Sequence, residues 1–402
     1  MSEWKKVKLK DCCHSISDGD HLPPPKSESG VPFITIANID VTNHIDFGNT
    51  MFVPFEYYDN LNDIRKARCN DILYSVVGSF GKPVFIKENK PFAFQRHIAI
   101  LRPNNEIADS HYLYFVMLSR DFYMQADTVA IGAAQRTISL TALRNMEVEL
   151  PSMESQHRIA IILSRYDSLI ENYQKQIKLL EEAAQRLYKE WFVDLHFPGH
   201  ENTKIFDGVP EGWEKKKVGE IGKVITGKTP STAKKEYYGG QIPFITIPDM
   251  HTGIYPTSSQ FLSDLGANSQ SGKFIPANSL MVSCIGTAGL VCITKEECQT
   301  NQQINSLVLN DNSLLYYMYN TFLSLKEHLY NIGSNGATMT NVNKSKFESI
   351  EILIPNNSIS NMYNKAVEQS FSGIKTLSSQ IRLLTEARDR LLPKLMSGEM
   401  AV

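Results

Sequence analysis

The chain is written twice, and that restricts its fold more than any other feature of its 402 residues. Near the start of each half, a Gly-containing polar loop leads into an apolar strand. The first copy reads Ser17-Asp18-Gly19-Asp20-His21, then Gly30-Val31-Pro32-Phe33-Ile34-Thr35-Ile36. The second reads Thr226-Gly227-Lys228-Thr229-Pro230, then Gln241-Ile242-Pro243-Phe244-Ile245-Thr246-Ile247. The Pro-Phe-Ile-Thr-Ile string is identical at an offset of 211 residues. Farther on, the run from Asn70 to Gly81 matches the run from Asn278 to Gly289 at an offset of 208, each a strand entering a Gly-x-x-Gly turn. Gly132-Ala133-Ala134-Gln135-Arg136-Thr137-Ile138 matches Gly336-Ala337-Thr338-Met339-Thr340-Asn341-Val342. Each is followed by a short strand ending in proline, at Pro151 and Pro355, where the offset is 204. Landmarks in the same order with a slowly drifting offset indicate two copies of one domain that differ in loop length.

A helix follows each of those prolines. In the first, Ile159, Leu163, Tyr166, Ile170, Tyr173, Ile177, Leu180, Ala184, Leu187 and Trp191 recur in alternating steps of four and three, a heptad seam. Adding 204 gives Tyr363, Val367, Ser370, Ile374, Leu377, Ile381, Leu384, Arg388, Leu391 and Leu395, and only Ser370 and Arg388 break the stripe. Two matching seams in one chain can bury each other, and an antiparallel pair would set the globular copies at opposite ends of a rod. Ser152 is placed to cap the first helix, and Pro393 and Gly398 mark the fraying end of the second. The fold class expected is therefore α+β: two repeated globular domains, residues 1–151 and 199–355, alternating with long helices, residues 152–198 and 356–402, that pair as an antiparallel coiled coil.

Several function classes lack their signatures. The sequence has no run approaching the roughly 20 apolar residues of a membrane span, and its first residues carry no apolar stretch after their charges. The six cysteines form no CxxC pair and join no His pair at zinc-finger spacing, which reads as reduced cytoplasmic thiols and no metal. Gly222-Lys223-Val224-Ile225-Thr226-Gly227-Lys228-Thr229 fits the phosphate-cradling pattern G-x-x-x-x-G-K-[ST]. That pattern works only where a helix opens directly after it, and the following Pro230 to Gly240 has no apolar periodicity. No H-E-x-x-H or strand-linked G-x-G-x-x-G occurs, no nucleophile, base and orienter can be assigned, and the expectation is no catalytic residue and no cofactor. A net charge of −2 argues weakly against nucleic-acid binding, but Arg65, Lys66, Arg68, Lys82, Lys87, Lys90, Arg96 and Arg102 are opposed only by Asp71 and Glu88 within that stretch. This is either a local basic face or an ion-paired surface.

The sequence resembles the specificity subunits of type I restriction-modification systems. Leu150-Pro151-Ser152-Met153-Glu154-Ser155-Gln156-His157-Arg158-Ile159-Ala160-Ile161-Ile162-Leu163 is similar to that family's Pro-Pro-x-x-Glu-Gln-x-x-Ile-Ala-x-x-Leu signature. Tyr237-Tyr238-Gly239-Gly240-Gln241-Ile242-Pro243-Phe244 resembles the start of its target-recognition domains, and Leu383 to Gly398 resembles its C-terminal helix. Ser152 and Ser155 depart from the signature, and Asn356-Asn357-Ser358-Ile359 has lost most of it in the second copy. The resemblance implies a non-catalytic reader of a split, asymmetric site in double-stranded DNA. Each target-recognition domain would read one half, the helices would fix the gap, and two copies of a modification (methyltransferase) subunit would be recruited. Restriction subunits would join in cleaving complexes. The methyltransferase tetrapeptides Asn-Pro-Pro-Tyr and Asp-Pro-Pro-Tyr are absent. Without the resemblance, the residues also fit a non-enzymatic coiled-coil scaffold with two ligand-binding heads.

The candidate DNA contacts lie on repeat loops. Lys82 follows a Gly-x-x-Gly turn, where backbone N–H groups and a cation suit phosphate. Gln95, Arg96 and His97 match Asn301, Gln302 and Gln303; Gln135, Arg136 and Thr137 match Met339, Thr340 and Asn341; Lys228 and Thr338 complete the set. Amides and Arg are the side chains that read adenine and guanine edges in pairs of hydrogen bonds. The residues expected to carry helix pairing are Ile159, Leu163, Ile170, Ile177, Leu180 and Leu187 against Val367, Ile374, Ile381, Leu384 and Leu391.

Overall fold

The computed structural model describes residues 4–21, 23–40, 42–133, 135–334, 340–400 and 402. The chain divides into two compact units, Met1–Ile170 with Leu383–Val402, and Glu171–Arg382. Both divisions fall inside long helices, so each unit holds one globular copy and a stretch of each helix.

In the first unit, a four-stranded antiparallel sheet runs in the order Cys13–Asp18, Ile98–Pro103, Ile72–Ser75, Pro83–Phe85. Its two inner strands, Ile-Ala-Ile-Leu-Arg-Pro and Ile-Leu-Tyr-Ser, are buried almost throughout, as continuous apolar runs require. A smaller sheet places Val31–Ile34 antiparallel to Met51–Val53 and parallel to Ala93–Phe94. Lys5–Lys8 pairs with Glu147–Leu150. The helix Ser110–Leu118, capped by the Asp109 side chain on Tyr112 N, is buried around most of its circumference, and the Tyr112 hydroxyl donates to Glu149 O at 2.7 Å.

The second unit repeats each of these strands and adds a hairpin, Ile205–Phe206 with Val209–Pro210. Its four-stranded sheet runs Gly222–Thr226, Ile304–Leu309, Leu280–Ser283, Val291–Ile293. Tyr238–Ile245 lies antiparallel to Gln260–Leu262 and parallel to Gln299–Thr300, and Glu214–Lys217 pairs with Glu351–Ile354. The duplicated Thr starts the same turn in both copies. Thr35 N and Oγ1 donate to Asn38 Oδ1 at 2.9 and 2.8 Å, and Thr246 N and Oγ1 donate to Asp249 Oδ2 at 2.8 and 2.7 Å. Tyr317 donates to Leu353 O as Tyr112 does to Glu149 O.

The long helices are α1, Met153–Tyr188, and α2, Asn357–Met396. Ser152 Oγ accepts from Ser155 N at 3.3 Å and caps α1; Asn356 Oδ1 accepts from Ile359 N at 3.0 Å and caps α2. Within the second unit the helices are antiparallel: the Tyr363 hydroxyl donates to Ala184 O at 3.3 Å, and a Cβ on Gly373 would meet Leu180 Cδ1. Within the first unit, Ile159 and Leu163 share a core with Leu392 and Leu395, and Arg388 donates to Asp167 Oδ1 at 2.7 Å. Ile159, Leu163, Ile170, Val367 and Ile374 are buried; Ile177, Leu180, Leu187, Ile381, Leu384 and Leu391 are half-buried. The two breaks in the stripe are resolved differently. Beside half-buried Ser370 the buried contact passes to Phe371, while Arg388 stays and pairs with Asp167. Helix α2 runs through Pro393 to Met396, and Gly398 at φ 71° follows its end.

Candidate functional site

Three segments converge at the end of the inner strand Ile72–Ser75, and the same three converge in the second copy. Val76 N donates to His97 O at 2.9 Å, Ile138 N to Val76 O at 2.8 Å, and Gly78 N to Arg136 O at 2.9 Å. The counterparts are Cys284 N to Gln303 O at 2.8 Å, Val342 N to Cys284 O at 2.9 Å, and Gly286 N to Thr340 O at 3.1 Å. A tight turn supplies one segment in each head, closed by Ile98 N to Gln95 O at 3.1 Å and Ile304 N to Asn301 O at 3.3 Å. The Gly-x-x-Gly turn supplies another, with Gly78, Gly81, Gly286 and Gly289 at φ between 69° and 90°, a region that costs most side chains strain. The polar loop closes the edge. Gly19 N donates to Ile98 O and Gly227 N to Ile304 O, and a Cβ on either glycine would lie 2.1 Å from a backbone oxygen, Phe94 O or Asn301 O. These glycines are there because two backbones touch.

The structure thus brings the predicted loop residues to one edge of each head, but gives them different freedom. Arg96 and Gln302 are exposed at the turn tips. Gln302 Oε1 accepts from Thr229 Oγ1 at 2.7 Å, a pairing that the repeat alignment did not signal. Gln95 and His97 are half-buried, and burial, reinforced by the Arg96 charge, lowers the His97 pKa so that the ring is neutral at pH 7. Asn301 is buried, its amide accepting from Gln303 N and donating to Gln303 Oε1, both at 3.1 Å; Gln303 Nε2 donates to Ile285 O at 3.4 Å. Arg136 is held by Asp127 Oδ1, Asp127 O and Ala130 O, and lies 5.4 Å from the Phe80 ring centroid. Thr340 is buried, whereas Gln135, Lys228 and Asn341 are exposed and Thr137 is half-buried. Lys82 Nζ donates to Ile39 O at 3.4 Å. Its counterpart is Leu290: Lys82 N and Leu290 N donate to the equivalent hydroxyls of Ser75 and Ser283. Thr338 lies outside the described residues.

Most cations of the basic stretch are already engaged within the head, three of them in ion pairs. Arg102 pairs with buried Asp71 at 2.9 Å, Arg68 with Asp63 at 2.8 Å, and Arg65 with Asp20 at 3.4 Å. Lys66 donates to Asp59 O at 2.9 Å, and Lys90 stands over the Phe47 ring. The phosphate-cradle-like segment is a sheet strand, Gly222–Thr226, followed by a loop and the short turn Lys235–Tyr237 rather than by a helix. Among the described residues, no cluster of three or more His, Cys, Asp or Glu could hold a metal, and no helix is long and apolar enough to cross a membrane. All six cysteines are free, and burial pushes the Cys284, Cys292 and Cys298 thiols up to about 12, where they are inert.

Comparison with known proteins agrees with the duplicated geometry. The family model for the type I restriction modification DNA specificity domain matches twice, at residues 1–182 and 210–391. The type I restriction enzyme HindI specificity subunit of Haemophilus influenzae is 31% identical, over 100% of both chains. The MjaIX specificity subunit of Methanocaldococcus jannaschii is 30% identical over 73% of this chain and 69% of its own. The fold is shared with the crystal structure of a type I restriction-modification system S subunit from M. genitalium: TM-score 0.61 at 16% identity, covering 98% of this chain and 96% of that one. With two matched domains and a full-length relative above 30% identity, the chain belongs to the family of type I restriction enzyme DNA specificity subunits.

Proposed function

We propose that the chain reads a split, asymmetric site in double-stranded DNA, one half per head, as the cytoplasmic, non-catalytic specificity subunit of a type I restriction-modification complex. The observation that carries this reading is the polar edge built on the same backbone hydrogen bonds in both heads but bearing different side chains, such as Arg96 against Gln302 and Thr137 against Asn341. Identical scaffolds with unlike tips are what two unlike half-sites require. Residues 1–151 and 199–355 are the reading domains, and residues 152–198 and 356–402 the helical spacers. The resemblance supplies the remaining partners: two copies of a modification subunit, joined by restriction subunits in the cleaving form. The paired exposure of Leu179 and Leu383, 61% and 55%, at equivalent positions of α1 and α2 supports two similar docking sites for one partner.

Phosphate contacts supply most non-specific affinity, one released counterion for each neutralised phosphate. Here the net charge is −2 and most cations of the basic stretch are tied internally. The chain alone should bind duplex DNA weakly, with a shallow salt dependence; the modification subunit should tighten binding and steepen the slope. The test is selection from a random duplex library by the assembled complex, with affinity measured from 50 to 200 mM salt. Enrichment of two short blocks around an unread gap is expected, and a single contiguous motif or none contradicts the proposal. Native mass spectrometry that saturates at one partner per chain contradicts the stoichiometry.

A further inference from the structure

Resting on that reading, we infer that the turn tip of each head fixes the identity of one base, Arg96 selecting guanine and Gln302 selecting adenine. The assignment comes from comparing equivalent positions. At 97 and 303 both side chains are half-buried, and both ends of the Gln303 amide are engaged. At 95 and 301 one is half-buried and the other buried. At 136 and 340 the guanidinium is held by Asp127 and the threonine is buried. At 82 and 290 an engaged lysine faces a leucine, and at 137 and 341 a threonine faces a short amide. At 20 and 228, an engaged carboxylate in one head, Asp20, which takes hydrogen bonds from Tyr57 and Arg65, faces an exposed lysine in the other. Only 96 and 302, among the described residues of this edge, place an exposed side chain with a planar, two-point hydrogen-bonding end in both heads.

The turn beneath each tip is hydrogen-bonded in place. Its first residue is tied to the neighbouring strand by Gln95 N to Ile34 O at 3.0 Å and by Asn301 N to Ile245 O at 3.2 Å. In the second head the buried Asn301 amide grips Gln303 on the far side of the tip. The tip is therefore held before DNA arrives, which makes small differences in edge chemistry count. No described residue takes a hydrogen bond or ion pair from the Arg96 guanidinium, which offers two parallel donors. Guanine presents two acceptors, O6 and N7; adenine presents N7 beside the N6 donor, which repels a second donor. The Gln302 amide offers one donor and one acceptor, the complement of adenine. Thr229 occupies one lone pair of Oε1 and orients the amide, and the other stays available for N6–H.

The experiment repeats the library selection with the full chain assembled with its modification subunit, as wild type and as Arg96→Gln, Arg96→Lys and Gln302→Arg. Arg96→Gln should convert one guanine of one half-site to adenine, shifting preference at that position about tenfold to a hundredfold, with the other half unchanged. Gln302→Arg should make the opposite change in the other half. Arg96→Lys should keep the salt slope and weaken, without redirecting, the guanine preference at the same position, because the ammonium lacks the planar fork. All three side chains are exposed replacements, so thermal unfolding should match wild type. An unchanged motif, or a uniform loss across all sequences with a smaller salt slope, overturns the base assignment while leaving two-headed reading in place. A wild type without a split motif overturns the functional reading itself, and the assignment with it.

Discussion

Replacing Tyr363 with alanine should destabilise the second unit by about 3–5 kcal/mol, the cost of deleting a buried aromatic ring and leaving its cavity. Tyr363 is fully buried on α2, with ring centroids of Phe192, Trp191 and Tyr188 at 4.9, 5.9 and 6.4 Å. Its hydroxyl joins the two helices through Ala184 O and receives Asn320 Nδ2 at 3.1 Å. Tyr363→Phe keeps the ring and loses only the hydroxyl. Asn320 Nδ2 retains its bond to Tyr316 O at 2.9 Å, so this variant should cost about 1 kcal/mol. Hydrogen exchange read by mass spectrometry separates local from general loss. Protection should fall most across 171–382 in Tyr363→Ala and little in Tyr363→Phe. Equal losses in the two variants, or a loss spread evenly over the chain, would show that the ring does not hold α1 to α2.

Removing Arg388 should be nearly as damaging, by a different route. Its side chain is 21% exposed and that of its partner Asp167 is 17% exposed, so the pair is shielded but not dry. Breaking a fully buried pair from one side costs about 3–5 kcal/mol because the remaining charge is stranded; partial exposure reduces this to about 2–3 kcal/mol here. Arg388→Ala should show that loss in urea unfolding. The double variant Asp167→Leu with Arg388→Leu removes both charges and restores an apolar seam, and should recover most of it. If the double variant is as unstable as the sum of the two singles, the charges are not coupled across the helices, and the antiparallel register in the first unit is wrong.

The repeat made most of the architecture legible. Offsets of 211, 208 and 204 align strands that prove to have the same pairing in both units, because a duplicated sequence must satisfy the same backbone hydrogen bonds twice. The heptad seam picks out residues that are buried or half-buried, since its period keeps them on one face of each helix. Two kinds of information were not in the pattern. Arg388 looked like a flaw in the seam, because its partner Asp167 lies 221 residues away on the other helix and off the stripe. Arg136 and Asn301 looked like contact residues by type, yet one is spent on a helix end and the other on holding its own turn. Residue type locates a polar loop; which of its polar groups are already engaged is decided by the folded packing around them. The basic stretch illustrates the same limit, since Asp18, Asp20 and Asp63, the partners of Arg65 and Arg68, all precede it in the sequence.

Two-headed reading of a split site is most directly tested by sequencing methylated positions genome-wide in a host that carries this chain and its modification subunit, and again after deletion of the chain alone. One asymmetric motif is expected, two specified blocks separated by a fixed unread gap, present with the chain and absent without it. Methylation that persists after deletion, or a motif with no gap, would contradict it.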